Sequence, residues 1–200
     1  MVRRAAHVEE TRQRIIEATV TMHETVGPAA TTIAGIAKTA GVTRLTVYRH
    51  FPDDEALYAA CSAHWLAGQA LPDPEAWARI VGPEERMKAG LADLYRYYRD
   101  GEAMLARIYG EIDHVPEGIR QMLRAAESRY VTVLLSAFPA KARVRRHLRA
   151  VVGHAASFCT WRSLCRDRGL SNGDAVDLMT AFTLLASQVT PSRRRLSAAR

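Results

Sequence analysis

Apolar and polar positions alternate along the chain in stripes of helical period. From Val8 to about Val26, Ile15, Ala18, Thr19, Met22 and Val26 fall on one face at three- and four-residue spacing, with Arg12, Arg14, Glu17 and Glu24 off it. Residues 1–7 ahead of it read as a loose basic arm. Gly27-Pro28 ends the helix, because glycine accepts a left-handed cap and proline cannot continue. Thr31 or Thr32 caps a second helix whose buried positions are Ile33, Ile36, Ala37 and Ala40. Gly41 supplies the turn, Val42 returns to the core, and the Thr43 hydroxyl is placed to accept from a free backbone N–H of a third helix, Arg44 to His50. Val47 and Phe51 point inward there, while Arg44, Leu45, Tyr48 and Arg49 share the opposite side. A helix of about two turns is marginal by itself, so a purpose other than stability is expected for that face.

A longer helix runs from Pro52-Asp53 to about Gln69, with Ala56, Leu57, Ala60, Cys61, His64 and Trp65 as its stripe. Leu71-Pro72-Asp73-Pro74 reads as a linker and Glu75–Ile80 as a short turn. Pro83 followed by Glu84 and Glu85 is a good helix start. Helices are predicted at about 84–99, 102–112, 117–138 and 141–167, and a last one, capped by Ser171 and Asp174, ends before Pro191. The expected fold is all-α, about nine helices in two parts. Residues 1–52 form a three-helix N-terminal domain, helix 53–70 connects, 53–190 form a second helical domain, and 191–200 a disordered basic tail.

Composition narrows this picture. With 48% hydrophobic residues the 200-residue chain can bury a sizeable core. No apolar run spans a bilayer and the N-terminus lacks the apolar core of a secretory signal, so a cytoplasmic protein is expected. Cys61, Cys159 and Cys165 show no CxxC spacing, which argues against a disulfide framework and a zinc site; no metal or cofactor is expected. The formal net charge of +7 suggests an anionic partner, but it is unevenly spread. Residues 1–51 carry seven Lys/Arg against four Asp/Glu, residues 52–127 eight against fourteen, and residues 141–168 eight against one. The exposed third helix therefore sits in a mildly basic segment.

The run Thr32-Ile33-x-x-Ile36-Ala37-x-x-Ala40-Gly41-Val42-Thr43-Arg44-x-Thr46-Val47-Tyr48-Arg49-His50-Phe51-Pro52-x-x-x-Ala56-Leu57 closely resembles the DNA-binding domain of TetR-family transcriptional regulators. A short capped helix can present a few side chains to base edges in the major groove. Arg44 suits guanine or phosphate, and Leu45 and the Thr46 methyl suit thymine methyls. The resemblance places Tyr48 and His50 at phosphates, Arg49 shares the exposed face, and the helix starts at Thr32 and Thr43 offer N–H groups to phosphates. The resemblance also implies Lys or Arg where this chain has Asp54. That departure predicts fewer phosphate contacts and a shallower salt dependence unless Arg3 and Arg4 compensate.

Trp65, Trp77, Met87, Leu91, Tyr95, Tyr98, Met104, Ile108, Tyr109, Met122, Phe158 and Trp161 give residues 65–161 an aromatic and methionine-rich interior. Most of these suit a plain helical core. The resemblance implies instead an apolar effector pocket within about 84–138, with Glu111, Asp113 and His114 as possible polar readers. It further implies a homodimer through residues 142–167 and 172–190, matching a palindromic double-stranded operator. The basic cluster Lys141, Arg143, Arg145, Arg146 and Arg149 is expected to be solvated surface. The function expected is a DNA-binding regulator, most simply a repressor released by a small apolar or aromatic molecule. The alternatives are an activator or a ligand-binding helical protein without a DNA role. No GxSxG, P-loop, GxGxxG or HExxH occurs, so no enzyme is expected.

Overall fold

The computed structural model describes residues 2–139 and 142–188, with side chains described over 5–139 and 145–188. Among them are eleven α-helices and no strand. They are α1 (Val2–Thr25), α2 (Ile33–Ala40), α3 (Arg44–His50), α4 (Asp54–Ala67), α5 (Pro74–Ala78), α6 (Pro83–Asp100), α7 (Glu102–Gly110), α8 (Glu117–Leu135), α9 (Ala142–Ala155), α10 (Phe158–Arg162) and α11 (Asn172–Gln188). A 3₁₀ turn covers Ile112–His114 and a π turn Ser163–Asp167. The class is the expected one; the details differ in four places.

There is no loose arm over residues 2–7: α1 starts at Val2, since nothing before Gly27 breaks the helix. Val26 lies beyond the helix end and is 44% exposed instead of facing inward. The segment expected as a turn after Pro72 is α5, because Asp73 accepts from Ala76 N at 3.0 Å and Trp77 is buried. The single helix expected over 141–167 is broken: Ser157 is extended (φ −82°, ψ 147°) and its Oγ accepts from Thr160 N at 3.1 Å. A serine hydroxyl that satisfies a free N–H locally ends one helix and begins another without glycine or proline. These two features raise the helix count above nine. The expected tail at 191–200, the dimer-face residues 189–190, Lys141 and the side chains of Arg3, Arg4 and Arg143 lie outside the described residues.

The chain divides into two compact units. The first holds residues up to Leu71 with 97–125, the second 72–96 with 126 onward. In the first, α1 packs against α2, α4 and α7 around Ile15, Ile16, Ile36, Ala37, Ala40, Val47, Phe51 and Leu57. Gly27 (φ +86°) carries the chain from α1 to α2. Its positive φ favours glycine, and a Cβ there would push aside the Glu111 carboxylate. Glu111 accepts from Ala29 N at 2.7 Å, and Arg107 donates to Thr25 O at 3.0 Å, which ties the α1–α2 loop to the end of α7.

In the second unit Met87, Leu91, Leu94, Tyr95, Leu134, Leu148, Val152 and Trp161 are fully buried. Their polar atoms are matched: Tyr95 Oη donates to Ala155 O at 2.8 Å and Trp161 Nε1 to Asn172 Oδ1 at 3.0 Å. Buried Arg86 donates to the carbonyls of Ala78, Ile80 and Val133 and to Ser136 Oγ. On α11, Ala175, Val176, Met179 and Thr183 are buried. Leu178, Phe182 and Leu185 on the same helix are 47%, 45% and 61% exposed.

Candidate functional site

Caps set the geometry of the helix-turn-helix. Thr32 Oγ1 accepts from Gly35 N at 3.1 Å at the start of α2. Gly41 (φ +66°) closes that helix, with its N–H to Lys38 O at 3.2 Å and Val42 N to Ala37 O at 2.9 Å, a left-handed termination that satisfies two orphan carbonyls. Thr43 Oγ1 then accepts from Thr46 N at 3.1 Å to open α3. Val47 and Phe51 anchor α3 in the core, and the Arg12 guanidinium lies 5.2 Å from the centre of the Phe51 ring. That cation–π contact holds α1 against the end of α3, and the sequence pattern, which placed Arg12 simply off the apolar face, did not show it.

With α3 so held, its outer face stands in solvent. Arg44 and Arg49 are exposed, Leu45 is 61% and Tyr48 53% exposed, and His50 is half-buried at the helix end. Among the described residues neither Arg44 nor Arg49 has an ion-pair partner. Thr46 is half-buried with its hydroxyl 2.9 Å from that of Thr43. Thr32 and Thr43 are exposed at their helix starts. All eight residues named from the sequence therefore lie on or beside α2 and α3. Asp54 is exposed at the start of α4, beneath the Asp53 cap that accepts from Ala56 N at 2.7 Å.

The ten residues named for an effector pocket separate. Trp65, Met104, Ile108 and Met122 line one apolar cavity of about 60 Å³ in the first unit, together with Cys61, Ser62, Leu66, Tyr97, Leu105, Ile119 and Leu123. Trp65 is fixed by a bond from Nε1 to Glu24 Oε1 at 3.2 Å and by an edge contact with Tyr97 at 6.2 Å. Met122, 44% exposed, stands at its rim. Tyr98 is buried but not part of this lining, and Met87, Leu91, Tyr95, Phe158 and Trp161 belong to the filled core of the second unit. Burial pushes the Tyr95 phenol above its ordinary range, so it stays a neutral donor to Ala155 O. The Cys61 thiol is likewise pushed up to about 12 by burial and is no nucleophile. Among the described residues no three of His, Cys, Asp and Glu stand together as a metal would need, and no helix is long and apolar enough to cross a membrane.

In this all-α chain the capped α2, the Gly41 turn and the outward-facing α3 have the geometry of a helix-turn-helix. The family model for bacterial regulatory proteins of the tetR family matches residues 15–61. Solved structures with the same fold include NalD, the secondary repressor of the MexAB-OprM multidrug efflux pump in Pseudomonas aeruginosa, at 18% identity and TM-score 0.57, over 89% of this chain and 96% of that one. The TetR-family regulator PfmR from Thermus thermophilus aligns at 19% identity and TM-score 0.56, over 90% and 97%. A tetR-family regulator from Streptomyces coelicolor aligns at 15% and 0.58, over 89% and 80%. Comparison with curated proteins gives no match. Over residues 15–61, which span α2 and α3, the chain is thus similar to bacterial regulatory proteins of the tetR family, and the solved structures share its fold.

Proposed function

We propose that this regulator is a cytoplasmic, homodimeric repressor that binds a palindromic operator and leaves it when a small apolar molecule binds. The observation that carries the DNA half is the outer face of α3: cations without ion-pair partners among the described residues, and exposed apolar groups, on a two-turn helix that is marginal by itself. Arg44, Leu45 and Thr46 read bases; Tyr48, Arg49, His50 and the helix starts at Thr32 and Thr43 hold phosphates. In domain terms, residues 1–52 bind DNA, 53–190 dimerise and sense, and the helix after Pro52 connects them.

The exposed Leu178, Phe182 and Leu185 recur at four- and three-residue spacing on α11, a row suited to a second copy of the same helix. Arg145, Arg146 and Arg149 on α9 are exposed and form solvated surface. The effector site is the cavity around Trp65, Met104, Ile108 and Met122. Its 60 Å³ is far below the several hundred that a drug-sized ligand fills, so ligand entry displaces the flexible methionines. One wall is α4 and another α7, and the end of α7 holds the α1–α2 loop through Arg107 and Glu111. A guest that moves either helix acts on the platform of α3.

The test is a gel-shift and footprint on the DNA upstream of its own gene, repeated with a panel of apolar compounds. A protected two-fold site, lost on adding one compound, is expected. No protected site sinks the DNA reading; a site that no compound weakens sinks only the switch. Phe182→Glu should give a monomer by ultracentrifugation, with weak operator binding.

A further inference from the structure

The first unit contains a second cavity, of about 270 Å³, between α1, α2, the start of α4 and the 3₁₀ turn. Ile33, Ile36 and Leu57 give it an apolar floor. Its polar wall holds Thr19, His23, Thr31, Asp54, Tyr58 and His114. His23 is 1% exposed, and its Nε2 has no hydrogen-bond partner, which is costly for a buried polar atom.

The hydrogen bonds decide what that wall offers. The Cys61 thiol has one hydrogen and directs it to Tyr58 O at 3.3 Å. At 3.8 Å from His23 Nδ1 the sulfur is then an acceptor, so Nδ1 carries the imidazole proton and Nε2 presents a lone pair. Burial keeps the ring neutral, its pKa lowered to about 4. Thr19 Oγ1 donates to Ile15 O and Thr31 Oγ1 to Gly27 O, both at 2.8 Å, so these hydroxyls also have only lone pairs left. Asp54 adds a carboxylate, and the Tyr58 ring, 4.6 Å from that of His23, adds an aromatic surface. Beside the Tyr58 hydroxyl and the His114 ring, which can also donate, the wall is rich in acceptors, carries a negative charge and meets an apolar floor.

We propose that this cavity is a second ligand site, for a small primary ammonium ion with an aliphatic body. The ammonium supplies three donors and a positive charge for His23 Nε2, the threonine hydroxyls and Asp54, and the aliphatic part covers Ile33 and Leu57. Anions are repelled by Asp54, and a neutral alcohol brings one donor where several are needed. The site also gives Asp54 a use. A carboxylate that is a liability beside DNA is what this cavity requires.

The test uses the full chain at neutral pH with n-butylammonium chloride as probe, and n-butanol and sodium butyrate at matched ionic strength as controls. Side-chain ¹⁵N spectra are followed, with the His23 signals assigned by their loss in His23→Gln. Butylammonium should shift the His23 Nε2 resonance saturably and raise Tm, the controls should do neither, and Asp54→Asn should weaken the response by up to about fivefold, as a partly solvated ion pair allows. An unmoved His23 resonance, an equal response to butanol, or an Asp54→Asn protein that binds like the parent each overturns the proposal. Should His23→Gln fail to fold, the exposed Asp54→Asn still decides it.

Discussion

On the outer side of the helix-turn-helix, Arg44, Tyr48 and Arg49 stand in solvent, the two cations without ion-pair partners among the described residues. On the inner side, His23 of α1 and Tyr58 and Cys61 of α4 are in contact and held neutral by burial. Polar groups on the inner face change the stability of the fold, because their charged forms are excluded. Those on the outer face contribute almost nothing to stability and are available to a partner. A substitution that moved both properties equally would break this separation.

The largest effect belongs to the inner face. The His23 pKa is lowered to about 4 by burial, with Glu111 pulling weakly the other way. The unfolded imidazole titrates near 6.5, so between those values the unfolded chain binds more protons than the folded one. This contribution is therefore intact above about 6.5 and is lost as pH falls toward 4, by on the order of 3 kcal/mol. Urea denaturation across that range should show the loss, and His23→Gln should flatten it. A parent profile as flat as that of the variant would show that His23 is not the buried neutral base described.

On the outer face, Arg44→Ala should lower operator affinity by about 1–3 kcal/mol, roughly 5- to 150-fold, while Tm stays within the small range of surface substitutions. A clear drop in Tm together with retained binding would reverse the assignment of the two faces. Thr43 lies at the seam. Its cap is worth about 1 kcal/mol, and Thr43→Ala should lower stability by that amount and DNA affinity as well, because α3 loses its first turn. Ser157→Ala removes a comparable cap from α10 and should lower stability alone. Equal losses of DNA affinity from both would mean that the caps act only through global stability.

Legibility in the sequence followed the same physics. The helix-turn-helix could be read because Gly27-Pro28, Gly41 and Thr43 are strong local signals whose meaning needs no tertiary context. The break at Ser157 could not, since a serine between alanine and phenylalanine is also compatible with a continuing helix and only packing decides. Likewise α5 depends on Trp77 finding Asp93, to which its Nε1 donates at 3.0 Å, a contact sixteen residues away. For the cavity lining, periodicity identified apolar residues but not which unit buries them. Met104 and Met87 look alike in sequence, yet one borders a void and the other fills a core. The exposure of Leu178, Phe182 and Leu185 on α11 is likewise visible only in the fold. His23 carried no motif at all, and only its burial and its unsatisfied Nε2 single it out.

Asp54 belongs to both faces, exposed at the start of α4 and yet part of the wall beside His23. At the helix N-terminus its charge is favourable with the dipole, so replacing it by lysine removes a stabilising interaction of a few tenths of a kcal/mol. On the DNA side the same change exchanges repulsion of a phosphate for attraction. Asp54→Lys should therefore tighten binding by less than about 1 kcal/mol, independently of operator sequence, and steepen the salt dependence by roughly one released counterion. Fluorescence anisotropy at several salt concentrations, with the operator and an unrelated duplex, measures both. If affinity and slope are unchanged on either duplex, Asp54 does not face a phosphate and lies wholly on the inner face. If only the operator responds, the side chain reads bases, and the outer face extends further than α3.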